Sequence, residues 1–242
     1  RVRRQRQMCI RDRDSNVESV YVTLDVTSEN IEEAVNCGAD LIVSHHPLIF
    51  TSINRVIEQD VTGSIVRSLI KNDISVYSAH TNFDIADGGM NDILCDKLGL
   101  SGVRRFTESE CTDPFGKPLD QIGRVGILDT PIEMADFVDY VKNVLGCMAI
   151  SYVGSESEII STAAVCSGSG GDLIYNAYNA GADVYVTSEI KHHEAQLALE
   201  LGINLIDAGH FETENIICDF MEDYLLSLSL IHISEPTRLR CI

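Results

Sequence analysis

Six of the seven histidines in this 242-residue chain fall at His45-His46, at His80, and at His192-His193 with His210. His45-His46 follows the apolar run Leu41–Val43 and precedes Pro47, which biases His46 toward extended backbone. His80 and His210 each stand four residues before a carboxylate, Asp84 and Glu214 respectively. Imidazole and carboxylate together suit zinc, iron or manganese. A carboxylate shared by two ions suits a dinuclear centre that activates water. A lone histidine at such a place is more often a hydrogen-bonded structural residue. Several together point to metal binding, with histidines that only orient ligands or sit on the surface as the alternative.

Ligands in α/β sheets gather at the carboxyl ends of strands, so the elements ahead of these residues matter. Val20, Val22, Leu24 and Val26 alternate with polar residues as a half-buried strand does. Thr27 or Ser28 offers an N-cap for a helix ending at Gly38, and Leu41–Val43 reads as a short buried strand. A helix over Val56–Lys71, a strand over Ile74–Tyr77 and a helix from Gly88-Gly89 to Gly99 follow. Phe106–Asp120 is polar and carries Pro114, Gly116 and Pro118, as a junction would. Alternation then resumes with a strand at Gly123–Leu128, a helix at Ile132–Leu145, and strands near Ile150–Val153 and Ile159–Val165. The turn Ser167–Gly171 leads to a helix ending at Ala180, the strand Val184–Thr187 and a helix through Leu201. The strand Ile203–Ile206 and a last helix to about Leu226 complete an α/β pattern.

The two halves echo each other. Cys37-Gly38-Ala39-Asp40 before Leu41–Ser44 matches Ala180-Gly181-Ala182-Asp183 before Val184–Thr187. Ser78–Asp84 likewise matches Ala208–Glu214. The expected organisation is a first α/β unit over 14–107, a junction at 108–120 and a second, related unit over 121–227. The glycine-rich turn Ser167–Gly171 could cradle a phosphate on its backbone N–H groups, or be simply a tight strand-to-helix turn.

The net charge of −19 conceals an uneven distribution. Residues 1–13 hold six arginines and one acid, and 228–242 add Arg238 and Arg240 against Glu235. Both ends resemble translated sequencing-adapter read-through, the alternative being a natural basic arm and a flexible C-terminus. They are expected to be non-native and are left out of the fold reasoning. The 10 basic and 35 acidic residues that remain give 14–227 a charge of −25, which argues against nucleic-acid binding. Apolar runs are only a few residues long, so no membrane span is expected. Cys37, Cys95, Cys111, Cys147, Cys166 and Cys218 form no C-x-x-C pair, the pattern of small buried residues in a reducing, cytoplasmic compartment.

Three segments in this order resemble the Nif-three-like proteins, whose bacterial members are known as type 2 homologues of GTP cyclohydrolase I. They are Ser44–Phe50, His80–Asp84 with Gly89–Asp92, and Gly209–Glu214. With Gly168–Gly171 and Glu189–His193, the resemblance spans about residues 20–227. It implies two related α/β domains packed around a dinuclear metal cleft, in a ring-shaped homohexamer. Carried over residue by residue, His45 and His210 would bind one divalent ion, His46 and Asp84 the other, and Glu214 both. Glu214 and His80 would be the catalytic residues, His80 as a ligand, a proton carrier or a support for Asp84. The implied activity is hydrolysis of a small-molecule substrate by a metal-bound hydroxide. The named possibility is GTP, opened to formate and dihydroneopterin triphosphate. Metal storage or delivery, or a regulatory scaffold, is the alternative.

Two departures stand out. The family's usual strand and helix ahead of Val20 are missing or overwritten, so the chain reads as truncated. Ser188 stands where the family usually has Gly, which would strain a turn that needs positive φ. His192 and His193 are expected near the cleft, where a substrate role and a place as surface residues at a helix start are equally consistent with them.

Overall fold

The structure is a computed structural model that describes residues 16–106, 122–228 and the backbone of 232–234. The expected junction 108–120, Cys111 and residues 1–13 lie outside the described residues. In chain order the elements are β1 (Ser19–Thr23), α1 (Ser28–Asn36), β2 (Leu41–Ser44), α2 (Val61–Lys71), β3 (Ser75–Ser78) and α3 (Thr81–Asp84). Next come α4 (Met90–Lys97), β4 (Leu100–Arg105), β5 (Arg124–Glu133), α5 (Met134–Leu145), β6 (Ser151–Val153) and β7 (Ile159–Ser169). Then follow α6 (Ile174–Asn179), β8 (Val184–Ser188), α7 (His192–Leu201), β9 (Asn204–Asp207), α8 (His210–Glu214), α9 (Ile216–Leu228) and β10 (His232–Ser234).

Two compact units share these elements, one running through Asn82 and resuming at Ile217, the other from Phe83 to Ile216. This differs from a division near 108–120. Although α4 and β4 precede that segment, β4 pairs with β5 and belongs to the second sheet. The strand β10, inside the 228–242 segment set aside from the sequence, pairs in parallel with β1.

The first unit carries an all-parallel sheet in the order β10-β1-β2-β3. Its helix α1 starts where Thr27 Oγ1 accepts from Asn30 N at 3.2 Å, capping an orphan donor of the first turn. The helix buries Ile31 and Ala34 against Tyr21, Ile42 and Leu69. Burial of Ile31 alone contributes about 1.5–3 kcal/mol, so truncation to Ala would open the layer between helix and sheet. Helix α2 begins at Val61 rather than Val56, because the Asp60 carboxylate accepts from Gly63 N and fixes the cap there.

The second unit has a six-stranded mixed sheet, β4-β5-β7-β8-β9-β6. Only β7, β8 and β9 run parallel; β4, β5 and β6 join antiparallel. Its core packs Val125, Ala164, Ile174, Tyr185 and Leu205. Arg124 is almost wholly buried, with Nε donating to Asp92 Oδ1 at 2.6 Å and Nη2 to the Ala86 carbonyl at 3.0 Å. A buried guanidinium needs such partners, and here they fasten the loop after Asp84 to β5.

The internal echo is structural. In the first unit Ser44 pairs with Ser78, and Ala79 N donates to Ser44 O at 2.8 Å. In the second, Thr187 pairs with Asp207, and Ala208 N donates to Thr187 O at 2.9 Å. The ladder therefore equates Ala79 with Ala208, one residue off the sequence match. Gly209, at φ 88°, is the extra residue before His210.

Candidate metal centre

In the first unit, parallel register brings the histidines together. The strands β2 and β3 end side by side at Ser44 and Ser78, whose hydroxyls are 2.8 Å apart. The residues that follow, His45-His46 and His80, therefore emerge at one sheet edge. One ring nitrogen from each of the three lies within 4.8 Å of the others. Ring centroids are 5.1 Å apart for His45 and His46, 5.2 Å for His45 and His80, and 5.7 Å for His46 and His80.

The second partner of each ring shows what the cluster can do. The fully buried His45 has Nδ1 2.8 Å from the Ala79 carbonyl. His46 has Nδ1 2.8 Å from Asp25 Oδ1. A carbonyl or carboxylate only accepts, so both rings donate from Nδ1–H, and in the neutral ring the lone pair is then on Nε2. That is the tautomer and the orientation a metal ligand needs. His80 Nδ1 is 3.3 Å from Thr81 Oγ1, a bond whose direction depends on the tautomer.

The second unit repeats the device at the end of β9. His210 and Glu214 lie on one face of the short helix α8, with Nε2 and Oε2 2.9 Å apart. His210 Nδ1 donates to Glu189 Oε1 at 2.9 Å. The hydrogen bond to Glu214 raises the His210 pKa above 6.5, against the lowering effect of burial, and Glu189 adds to the rise. Thr213 Oγ1 accepts from Gly168 N at 3.1 Å and lies 2.9 Å from the Gly209 carbonyl.

Asp84 is buried at the end of α3. Its carbonyl accepts from Asn91 Nδ2 at 3.1 Å, and Asn91 Oδ1 accepts from Ser167 N at 2.8 Å. Asp84 is thereby tied to the same turn that touches Glu214. Burial pushes the neighbouring Cys166 thiol up to about 12, and the charges of Asp84 and Glu214 reinforce it.

In the turn Ser167–Gly171, Ser167 N donates to Asn91 Oδ1 and Gly168 N to Thr213 Oγ1, so two of its backbone donors are engaged by side chains. A Cβ at Gly168 would lie 2.2 Å from Glu214 Oε1, one at Gly170 2.4 Å from Thr187 Oγ1, and one at Gly171 2.3 Å from Glu194 Oε2. Side chains of Glu214, Thr187 and Glu194 therefore pack directly against these three glycines. Ser188 differs from expectation. It is an ordinary buried residue of β8 whose hydroxyl donates to the Gly168 carbonyl at 2.6 Å. The positive φ falls one residue later, on Glu189. His192 and His193 are exposed at the start of α7.

Sequence reasoning missed Asp25 and Glu189 as partners of His46 and His210. Both follow the ends of parallel strands, β1 and β8, so the rule that found the histidines would have found them too. Within each unit the donors suit divalent ions: His45 and His46 with Nδ1 anchored to acceptors in the first, and His210, likewise anchored, with the buried carboxylates of Asp84 and Glu214 in the second. Among the described residues no helix is long and apolar enough to cross a membrane.

Comparison with known proteins agrees with this architecture. The chain is 36% identical over 207 residues to a Clostridium perfringens protein named GTP cyclohydrolase 1 type 2 homolog, covering 86% of this chain and 77% of the relative. A Staphylococcus aureus crystal structure superposes with a TM-score of 0.83 at 27% identity, covering 98% of this chain and 91% of that one. A Bacillus cereus protein described as related to NIF3 superposes with a TM-score of 0.80 at 24% identity, covering 93% and 88%. The model of the Duf34/NIF3 (NGG1p interacting factor 3) family matches residues 8–235. The chain belongs to that family.

Proposed function

We propose that this protein holds two divalent ions, zinc, iron or manganese, and acts as a metal-dependent hydrolase on a small molecule, GTP being the first candidate. One observation supports this most strongly. His45, His46 and His210 each have Nδ1 committed to an acceptor, which turns Nε2 away from that acceptor in all three and, in His210, onto the proposed ligand Glu214 at 2.9 Å. Structural histidines do not share that arrangement by necessity, whereas metal ligands use it regularly.

In this reading His45 and His210 hold one ion, His46 and Asp84 the other, and Glu214 contributes to both. Two such ions would supply a Lewis acid and a water acidified toward neutral pH. Glu214 and His80 are then the catalytic residues. The Glu214 carboxylate is buried and packed closely against Gly168, which limits its movement as charge develops. His80, beside His45 and His46, takes or returns a proton at its ring nitrogen. Cytoplasmic location and assembly as a homohexamer belong to the same proposal, and light scattering of the purified protein reads the second.

GTP enters through the name of the Clostridium perfringens relative, which says only that it is a homologue. The test is turnover of GTP, other nucleotides and phosphoesters by metal-loaded protein, compared with His46→Ala and Glu214→Ala. Turnover lost in both variants while the fold persists supports a hydrolase. Two bound ions without turnover of any of these compounds would assign the site to metal storage or delivery instead.

A further inference from the structure

Among the described residues, only Asp73 and Glu189 are non-glycine residues with positive φ, at 56° and 57°. Asp73 follows the C-cap of α2, where a left-handed residue is a common way to end a helix, and a short polar side chain tolerates it. Glu189 has neither excuse. It follows a strand, and its side chain is too long to relieve the backbone locally.

The surroundings force this conformation from both sides. Ahead of it, the buried Ser188 hydroxyl donates to the Gly168 carbonyl at 2.6 Å. Behind it, Ile190 N donates to Asp207 Oδ2 at 3.0 Å, while Asp207 Oδ1 accepts from Gly209 N at 3.2 Å. One carboxylate thus clamps the turn that carries Glu189 to the turn that carries His210. The result is a Glu189 Oε1 held 2.9 Å from His210 Nδ1.

Stability does not account for the arrangement. The Glu189 side chain is 57% exposed and that of His210 34%, and pairs this open to water add little to folding. Strain held in place without a return in stability is characteristic of functional sites. We propose that Glu189 is a positioning residue: its strained backbone aims the carboxylate that anchors His210 through Nδ1–H, so that Nε2 is held toward Glu214, 2.9 Å away, where a divalent ion would be shared between them. The inference rests on the metal-binding reading above.

Calorimetric titration of Zn²⁺ into chelator-stripped wild type, Glu189→Gly and Glu189→Gln tests it. Glycine accepts the backbone without strain but removes the carboxylate; glutamine keeps an oxygen that accepts from Nδ1–H. Glu189→Gly is expected to bind zinc about 10–100-fold more weakly, the usual effect of losing such a partner. Its stripped form should melt at or above the wild-type temperature, and Glu189→Gln should retain most of the affinity. Equal zinc affinity in Glu189→Gly and wild type overturns the assignment. So does a stripped Glu189→Gly protein that melts well below wild type, since Glu189 would then be structural. If wild type itself takes up no zinc, the metal-binding reading falls and this inference with it.

Discussion

Gly168 stands so close to Glu214 that a Cβ in its place would lie 2.2 Å from the carboxylate oxygen Oε1. The same residue sits at φ 61°, donates from its N–H to Thr213 Oγ1, and accepts at its carbonyl from the Thr187 and Ser188 hydroxyls. Gly168→Ala therefore meets two penalties at once, a left-handed backbone and a collision. The expected cost is about 1–3 kcal/mol, roughly 2–12 °C in Tm for a chain of this size. Metal affinity should fall as well, because Glu214 must move aside. Thermal unfolding and metal titration of the same sample check both.

Asp25→Ala isolates the orienting carboxylate of His46. Asp25 is 52% exposed, so its loss should leave Tm within about 4 °C of wild type, as surface pairs contribute about 0–1 kcal/mol. Affinity for one of the two ions should weaken about 10–100-fold. Equilibrium dialysis against a range of free Zn²⁺ separates the two effects.

The raised pKa of His210 gives a pH signature in chelator-stripped protein. Its folded pKa lies above its ordinary 6.5, chiefly through the bond to Glu214. The group thus contributes stability that is fully present below 6.5 and is lost as pH rises through the raised folded value. Metal affinity runs the opposite way, since a proton on Nε2 competes with the ion, and it should increase over that same rise in pH. Denaturant melts of wild type and His210→Gln across this range should converge at the alkaline end.

Among the described residues no cysteine belongs to the proposed metal site. Burial pushes Cys95 and Cys166 up to about 12 and Cys147 up to about 11, whereas Cys37 is exposed. Iodoacetamide at neutral pH should label Cys37 in folded protein and spare those three. Mass spectrometry of the digested protein reads the pattern, and fast labelling of Cys166 would contradict the packing described.

The sequence disclosed the histidine clusters because one physical rule governs them: parallel strands of matched register deliver the residues that follow them to a common edge. Applied to Leu24-Asp25 and Ser188-Glu189, the rule would also have found the orienting carboxylates. Other features depend on information a single chain does not display. Nothing in residues 100–105 or 124–133 announces antiparallel pairing, so the mixed character of the second sheet was not legible. The sign of φ is likewise invisible in a string of letters, and strain expected at Ser188 sits at Glu189. Gly209 shifted the internal match by one residue because hydrogen-bond register, rather than residue identity, sets structural equivalence.

Metal counting tests the central claim most directly. Wild-type protein and Glu214→Ala, loaded with Zn²⁺ or Mn²⁺ and freed of excess, are analysed by inductively coupled plasma mass spectrometry against protein concentration. Two tightly held ions per wild-type chain are expected, with at least one lost in Glu214→Ala. Less than one ion per wild-type chain would contradict the dinuclear reading.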